Sequence, residues 1–393
     1  MRKDLETVLC LSHLRWKFVY QRPQHLLTRC AKQRRVIYFE EPLFDSREPE
    51  LQLAETNSGV LVATPHLVAG APTATAELLQ RKMIEALVAQ LPDPHPVLWY
   101  YTPMPVTFTD HLRACAVIYD CMDELSSFQG APPELAERER ALLGRADVVF
   151  TGGHNLYEYK RSQHDNIHAF PSSVDVPHFA QARELLAEPP DQSDIPHPRV
   201  GFFGVIDERM NLPMLDELAD TRPDLQIVMI GPVAKIDPAT LPRRPNLHWL
   251  GSKTYDELPT YLAGWDVAML PFALNDSTLF ISPTKTPEYL AAGKPVVSTS
   301  IRDVVKPYGE DGLAWIADTA SDFSVAIDEA LASERVARLA HADAFLADLS
   351  WDRTWSEMWA HVERAITGRE LRTTGVYATA THVSQPVLAK RGA

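Results

Sequence analysis

Cysteine is scarce in this chain. Cys10, Cys30, Cys115 and Cys121 are its only four thiols. No two of them form a CxxC pair, so neither a zinc site nor a disulfide framework is indicated, and reduced thiols suit the cytoplasm. Positive charge is short as well. The balance of 38 Lys and Arg against 52 Asp and Glu leaves a net charge of −14, which argues against nucleic-acid binding as the main task. No apolar run is long enough to span a bilayer. The first residues, Met1 to Glu6, lead straight into a strand-like segment, with no apolar core of a secretory leader.

What is present is a length of 393 residues with 45% hydrophobic and 23% charged residues. That is too long for one ordinary core and predicts two soluble domains. Short apolar runs recur in the first half: Val8–Ser12, Arg35–Phe39, Val60–Ala63, Val97–Tyr101, Ala116–Tyr119 and Val148–Thr151. Runs of this length separated by helical segments read as buried parallel strands. The pattern breaks in the proline-rich stretch up to Pro198 and restarts at Arg199–Phe203, Gln226–Ile230, Asn246–Leu250, Val267–Leu270 and Pro295–Ser298. The expected organisation is an α/β first domain over 1–178, a linker over 179–198 and a second doubly wound domain over 199–350. A final helix follows over 351–368, then a polar, disordered tail over 369–393. Two such sheets place a cleft between the carboxyl ends of their strands, which suits a two-substrate transfer.

The richest segment is Ile281-Ser282-Pro283-Thr284-Lys285-Thr286-Pro287-Glu288-Tyr289-Leu290-Ala291-Ala292-Gly293-Lys294-Pro295-Val296-Val297-Ser298. It reads as loop, helix, a stop at Gly293, then strand. Ser282 could cap the helix with Pro283 first, or Thr286 with Pro287 first. Either start leaves Lys285 beside the positive helix end, a place for a diphosphate, with Glu288 positioned to accept ribose hydroxyls. The alternative is a capped surface helix with solvated charges.

This block resembles the donor motif of the GT-B glycosyltransferases, in particular the retaining family 4 group and its bacterial polysaccharide and teichuronic-acid members. Further stretches resemble the same template in order: Val8–His13 with Trp16–Leu26, Pro171–Phe179, Arg199–Gly204, and Pro245–Gly251 with Tyr255–Leu262. The resemblance implies a fold of two Rossmann-like domains whose last helix crosses back to the first. It implies transfer of a sugar, with retention, from a UDP- or GDP-linked donor in polysaccharide or glycolipid synthesis. Gly204, Arg209, Ser282, Thr284, Lys285 and Glu288 would bind the donor. The partners implied are a nucleotide sugar and a saccharide or lipid-linked acceptor, with no further cofactor.

Two positions depart from the pattern. Phe280 stands where a first glutamate is usual, so the amides of Asn275–Ile281 would have to replace it, and Val205 stands where arginine is common. A GT-B protein that binds without turnover, or an epimerase of this fold, is the rival reading. Strand-end position makes Asp120 and Asp123 candidate catalytic carboxylates, though either could cap the next helix. His13, directly after the first strand, is a third catalytic candidate or a structural histidine. Arg15, Trp16, Arg22 and His25 are acceptor-side candidates. The basic stretch Arg22–Arg35 could face anionic lipid at the inner membrane surface, or be an ordinary solvated face. No Asp-x-Asp triplet occurs, which points away from a metal-dependent site.

Overall fold

A computed structural model describes residues 7–184 and 186–373, the side chains of 370–373 excepted. The tail expected over 369–393 lies outside these residues from 374 onward, and 369–373 are the end of a helix.

The first sheet contains β1 (Thr7–Leu11), β2 (Arg35–Phe39), β3 (Leu43–Ser46), β4 (Glu50–Glu55), β5 (Val60–Val68), β6 (Val97–Tyr100), β7 (Ala116–Cys121), β8 (Val148–Thr151) and β9 (Ile167–Ala169). Their order is β3-β5-β2-β1-β6-β7-β8-β9, with β4 on the edge of β5. Only the β4–β5 pairing is antiparallel. The second sheet, β10 (Arg199–Phe203), β11 (Gln226–Ile230), β12 (Leu247–Gly251), β13 (Val267–Leu270), β14 (Val296–Ser298) and β15 (Ala314–Ile316), runs β12-β11-β10-β13-β14-β15 and is wholly parallel. Both sheets reverse direction beside their first strand, so each presents a switch point where ligands settle.

Side chains such as Val8, Val36, Val97, Val200, Val228 and Val297 are fully buried. Continuous apolar strands of this kind need helices on both faces. Between the sheets, Phe179 is fully buried within the short helix Val176–Ala180, and cation-bearing Arg183 donates to the Ala291 carbonyl at 2.7 Å. The connection expected to be a loose linker is therefore packed against the second domain.

The last helix, Trp351–Thr373, returns to the first domain. There Trp351, Trp355, Met358, Trp359 and Val362 enter the core formed by Val8, Trp99 and Phe150. Each such fully buried side chain contributes about 1.5–3 kcal/mol. The arginine-rich helix Arg22–Ala31 lies alongside it. Arg29 pairs with Asp352 at 3.0 Å, and Arg34 pairs with Glu363 at 3.7 Å while its guanidinium lies 3.8 Å over the Trp359 ring. Arg22 is buried on Asp120. The stretch expected as a free basic face is thus consumed internally except for the exposed Lys32 and Arg35. No described helix is long and apolar enough to cross a membrane.

Several histidines are packed here as neutral rings. His25 lies flat on Trp351, centroids 4.5 Å apart, and burial drives its pKa well below the usual value. His361 rests 3.7 Å from His168, and burial, then His168 and Arg364, lower it to about 4. Groups with a folded pKa below the unfolded 6.5 bind fewer protons when folded. Their stabilisation is therefore full above pH 6.5 and is lost as pH falls through about 4. Melting temperature should drop steadily between pH 6.5 and 4, and His361→Phe, facing Phe150 and Phe170, should shallow that slope. A slope unchanged in the variant would remove His361 from the account.

Candidate functional site

The cleft lies where the two sheets face each other. It encloses about 1180 Å³ of open space, solvent at its mouth included. The first domain supplies Val19, Tyr20, Gln21, Arg22, Met122 and Asp123 to its lining. The second domain supplies Gly204, Arg209, Ser282, Thr284, Lys285 and Glu288, together with Lys253 and Tyr255. All six residues expected at a donor site therefore meet on one wall.

Two glycines make that wall possible. Gly204 and Gly231 follow β10 and β11 with φ of +145° and +143°, backbone that residues with a Cβ rarely adopt. A Cβ on Gly231 would fall on the Gly204 carbonyl oxygen. One on Gly204 would fall on the Lys285 stem and come within 2.9 Å of its Nζ. The Lys285 side chain therefore lies across the end of β10, its ammonium 5.9 Å from the Phe202 ring. Tyr289 ties the helix to the same strand by accepting from the Phe203 N–H at 3.0 Å.

The helix start differs from both expected caps. It runs Lys285–Ala291 with Thr284 before it, and neither Ser282 nor Thr286 caps it. Pro287 is the third helical residue, where no intrahelical bond is needed. Thr286 is buried with its hydroxyl unpartnered.

Burial lowers the Lys285 pKa and raises that of Glu288, and each one's charge opposes the other's shift. Arg209 adds to the lowering of Lys285. Its own guanidinium is held by Asp207 at 2.9 Å through Nε and 2.7 Å through Nη2. Across the gap, burial raises the Asp123 carboxyl while Arg209, Lys285 and Lys235 pull it down. Asp123 is thus the first-domain carboxylate that looks onto the cationic wall.

The other first-domain candidates separate. Asp120 is wholly buried, and both its oxygens take the Arg22 Nε at 3.1 Å. It does not reach the cleft, which corrects its expected catalytic place: the strand end was read properly but the side chain points into the core. His25 is likewise corrected from acceptor side to core. Arg15 and Trp16 turn away to Glu40, Arg15 through its guanidinium at 3.2 Å and Trp16 through its backbone N–H at 2.6 Å. They brace the loop after β1 rather than line the cleft. His13 is half-buried after β1, its Nδ1 unpartnered, and burial with Lys235 nearby lowers it to about 4.

Phe280 leaves the site altogether. Its ring packs 4.5 Å from Tyr159 of the first domain. The loop amides expected to replace a carboxylate there are mostly spent. Those of Asn275, Ser277, Thr278, Leu279 and Ile281 donate within the loop itself. Sequence reading missed Glu40, Gly231, Lys253 and Asp303, whereas Tyr255, at the head of the resembling stretch Tyr255–Leu262, does line the cleft. Gly231, directly after an apolar strand, carried a visible signal; Glu40, Lys253 and Asp303 did not.

Residues 197–333 match the family described as Glycosyl transferases group 1. A Bacillus subtilis (strain 168) protein provisionally named as a teichuronic acid biosynthesis glycosyltransferase, TuaH, is 27% identical over 233 residues, which cover 54% of this chain and 58% of that protein. The chain thus spans a little over half the length of this curated relative. Sucrose-phosphate synthase from Thermosynechococcus elongatus superposes with a TM-score of 0.69 at 14% identity, covering 92% of this chain and 100% of that one. An α,α-trehalose-phosphate synthase (UDP-forming) from Burkholderia vietnamiensis gives 0.67 at 13%, covering 92% and 99%. Anabaena HepE, solved with UDP and glucose, gives 0.64 at 12%, covering 91% and 100%. The fold is GT-B, and the match to the group 1 glycosyl transferase family lies in its second half.

Proposed function

We propose that this GT-B chain is a glycosyltransferase, taking a sugar from a nucleoside-diphosphate donor, UDP- or GDP-linked, to a saccharide or lipid-linked acceptor in cell-envelope polysaccharide synthesis. The observation that carries the reading is the Lys285 ammonium laid across Gly204 beside Glu288, inside a cleft that both domains line. Lys285 and Arg209 stabilise diphosphate charge as the bond from sugar to phosphate breaks. Glu288 accepts from ribose hydroxyls. Asp123 faces the opening from the acceptor domain. Retention at the anomeric carbon goes with the family resemblance. Contact with anionic membrane, first read from the whole Arg22–Arg35 stretch, would rest on Lys32 and Arg35, at about 1 kcal/mol per charge near such a surface.

A thermal-shift panel of nucleotide sugars tests the reading. A bound ligand at a hundred times its Kd adds about 2.7 kcal/mol of stability. The matching donor should then release its sugar slowly to water. A shift without any release would favour a binding protein, the reading that the displaced Phe280 keeps open. Because the phosphate charge is met by side-chain cations, turnover should persist in EDTA. Loss on chelation with recovery on adding manganese or magnesium would overturn that assignment.

A further inference from the structure

Beside the cleft the two domains are joined at one seam. Asp303, from the second domain, is 6% exposed. It accepts from the backbone N–H groups of His154 at 2.9 Å and Asn155 at 3.0 Å, the first residues of the first-domain helix His154–Lys160. Gly153 explains how it gets there. A Cβ at Gly153 would fall on Asp303 Oδ2 and lie 2.7 Å from Ser282 Cβ. Only a residue without a side chain lets the donor segment and Asp303 close on this helix. Burial raises the Asp303 carboxyl; the Asn155 amide, the Ser282 hydroxyl and His154 hold it down.

The seam continues on both sides. Arg302 donates to Asn155 Oδ1 at 2.7 Å, Asn155 Nδ2 donates to the Leu279 carbonyl, and Phe280 packs on Tyr159. Leu279 and Phe280 lead directly into Ser282–Lys285, which line the cleft. At the other end of the helix, Lys160 is 1% exposed and reaches Glu124 at 2.5 Å and Glu139 at 2.8 Å. Glu124 adjoins Asp123. One short helix therefore touches the donor segment at its start and, through Lys160 and Glu124, the Asp123 loop at its end.

We propose that Asp303 is a positioning residue: through the helix His154–Lys160 it sets the donor segment 279–288 against the Asp123 loop, so that donor and acceptor walls keep one spacing. It touches neither substrate. Its kinetic consequence rests on the glycosyltransferase reading, whereas its mechanical consequence does not.

The test compares wild type with Asp303→Asn and Asp303→Glu by hydrogen exchange and by donor-hydrolysis kinetics. Asp303→Asn turns an amide NH₂ toward a backbone N–H and breaks one of the two bonds. Exchange should quicken at His154 and Asn155 and also across 279–288. The kcat should fall about 100-fold, the scale of an ångström-sized misplacement, with KM nearly unchanged. Asp303→Glu should restore part of the kcat. Quickening confined to 154–155, or a kcat equal to wild type, would overturn the proposal. If Asp303→Asn loses protection everywhere, Asn155→Ala opens the same seam while keeping both backbone bonds to Asp303, since it removes only the side-chain bonds to Arg302 and Leu279. It must loosen 279–288 in the same way, and failure to do so counts against the proposal. If wild type turns over no nucleotide sugar, the glycosyltransferase reading falls and the exchange result alone decides on the seam.

Discussion

Arg22→Ala should cost about 3–5 kcal/mol of stability, because it leaves a buried carboxylate without its counter-charge. Arg22 is 2% exposed and Asp120 is 0% exposed. The guanidinium meets Asp120 through Nε and Nη2 and donates to the Phe170 carbonyl at 2.7 Å through Nη1, while Met358 Sδ lies 3.6 Å from Nη2. One side chain thus ties the helix after β1 to the end of β7, the segment after β9 and the returning final helix. Burial pushes the Asp120 carboxyl up and Arg22 pulls it back, so removing Arg22 leaves burial unopposed. Whole-protein stabilities are about 5–15 kcal/mol, so the variant should sit close to its unfolding threshold at ambient temperature. Lysine should rescue poorly, since an ammonium cannot reproduce the two-pronged contact. Replacing both partners, Arg22→Met with Asp120→Leu, should recover most of the loss, because neither desolvated charge then remains. Denaturant unfolding of the two single variants and the double closes the cycle. A single-variant loss under about 1 kcal/mol would mean water reaches Asp120 and the pair is an ordinary surface contact.

That pair shows where sequence reading works and where it stops. The apolar runs located β1, β2, the start of β5, β6, β7, β8 and the strands of the second sheet up to β14, because a strand covered on both faces must be apolar throughout. The edge strands escaped. β4 is Glu-Leu-Gln-Leu-Ala-Glu and mostly exposed, so it offers no continuous apolar run of the kind that marks the buried strands. β9 and β15 are three-residue strands at the sheet ends, each buried only at its first residue, whereas the equally short β14 is buried throughout. The second-domain site was legible because it is local: Ser282 to Glu288 are consecutive, and their helix brings them to one wall. The first-domain site depends on which way single side chains turn after a strand. Asp120 and Asp123 look alike in sequence. Asp120 falls on the core-facing position of β7 opposite an arginine 98 residues away, and Asp123 falls in the loop beyond. No local pattern distinguishes them. Asp303 was invisible for the same reason, since its partners are backbone amides about 150 residues distant.

Lys285→Ala should weaken binding of a nucleoside diphosphate by about ten- to a hundredfold, as expected for loss of a hydrogen bond to a charged group of ~1.5–3 kcal/mol, where 1.4 kcal/mol is tenfold. The free nucleoside should be affected little. The asymmetry follows from position. Lys285 lies over Gly204 at the end of β10, and under the donor reading its ammonium meets phosphate rather than base or ribose. Burial lowers the Lys285 pKa, and a diphosphate beside it would favour the charged ammonium. Lys285→Met keeps the stem that packs beside Phe202 and removes only the charge. It should therefore match alanine in diphosphate affinity while folding more stably. Glu288 complicates the variant in a predictable direction. Without Lys285 its carboxyl loses the charge that opposes its upward shift, so the residual site is less polar and any ribose contact weakens modestly. Calorimetry with UDP against uridine, or GDP against guanosine, separates the two effects. Equal losses for the diphosphate and the nucleoside would show that Lys285 supports the wall without meeting phosphate, and the donor assignment of the segment Ser282–Glu288 would fall with it.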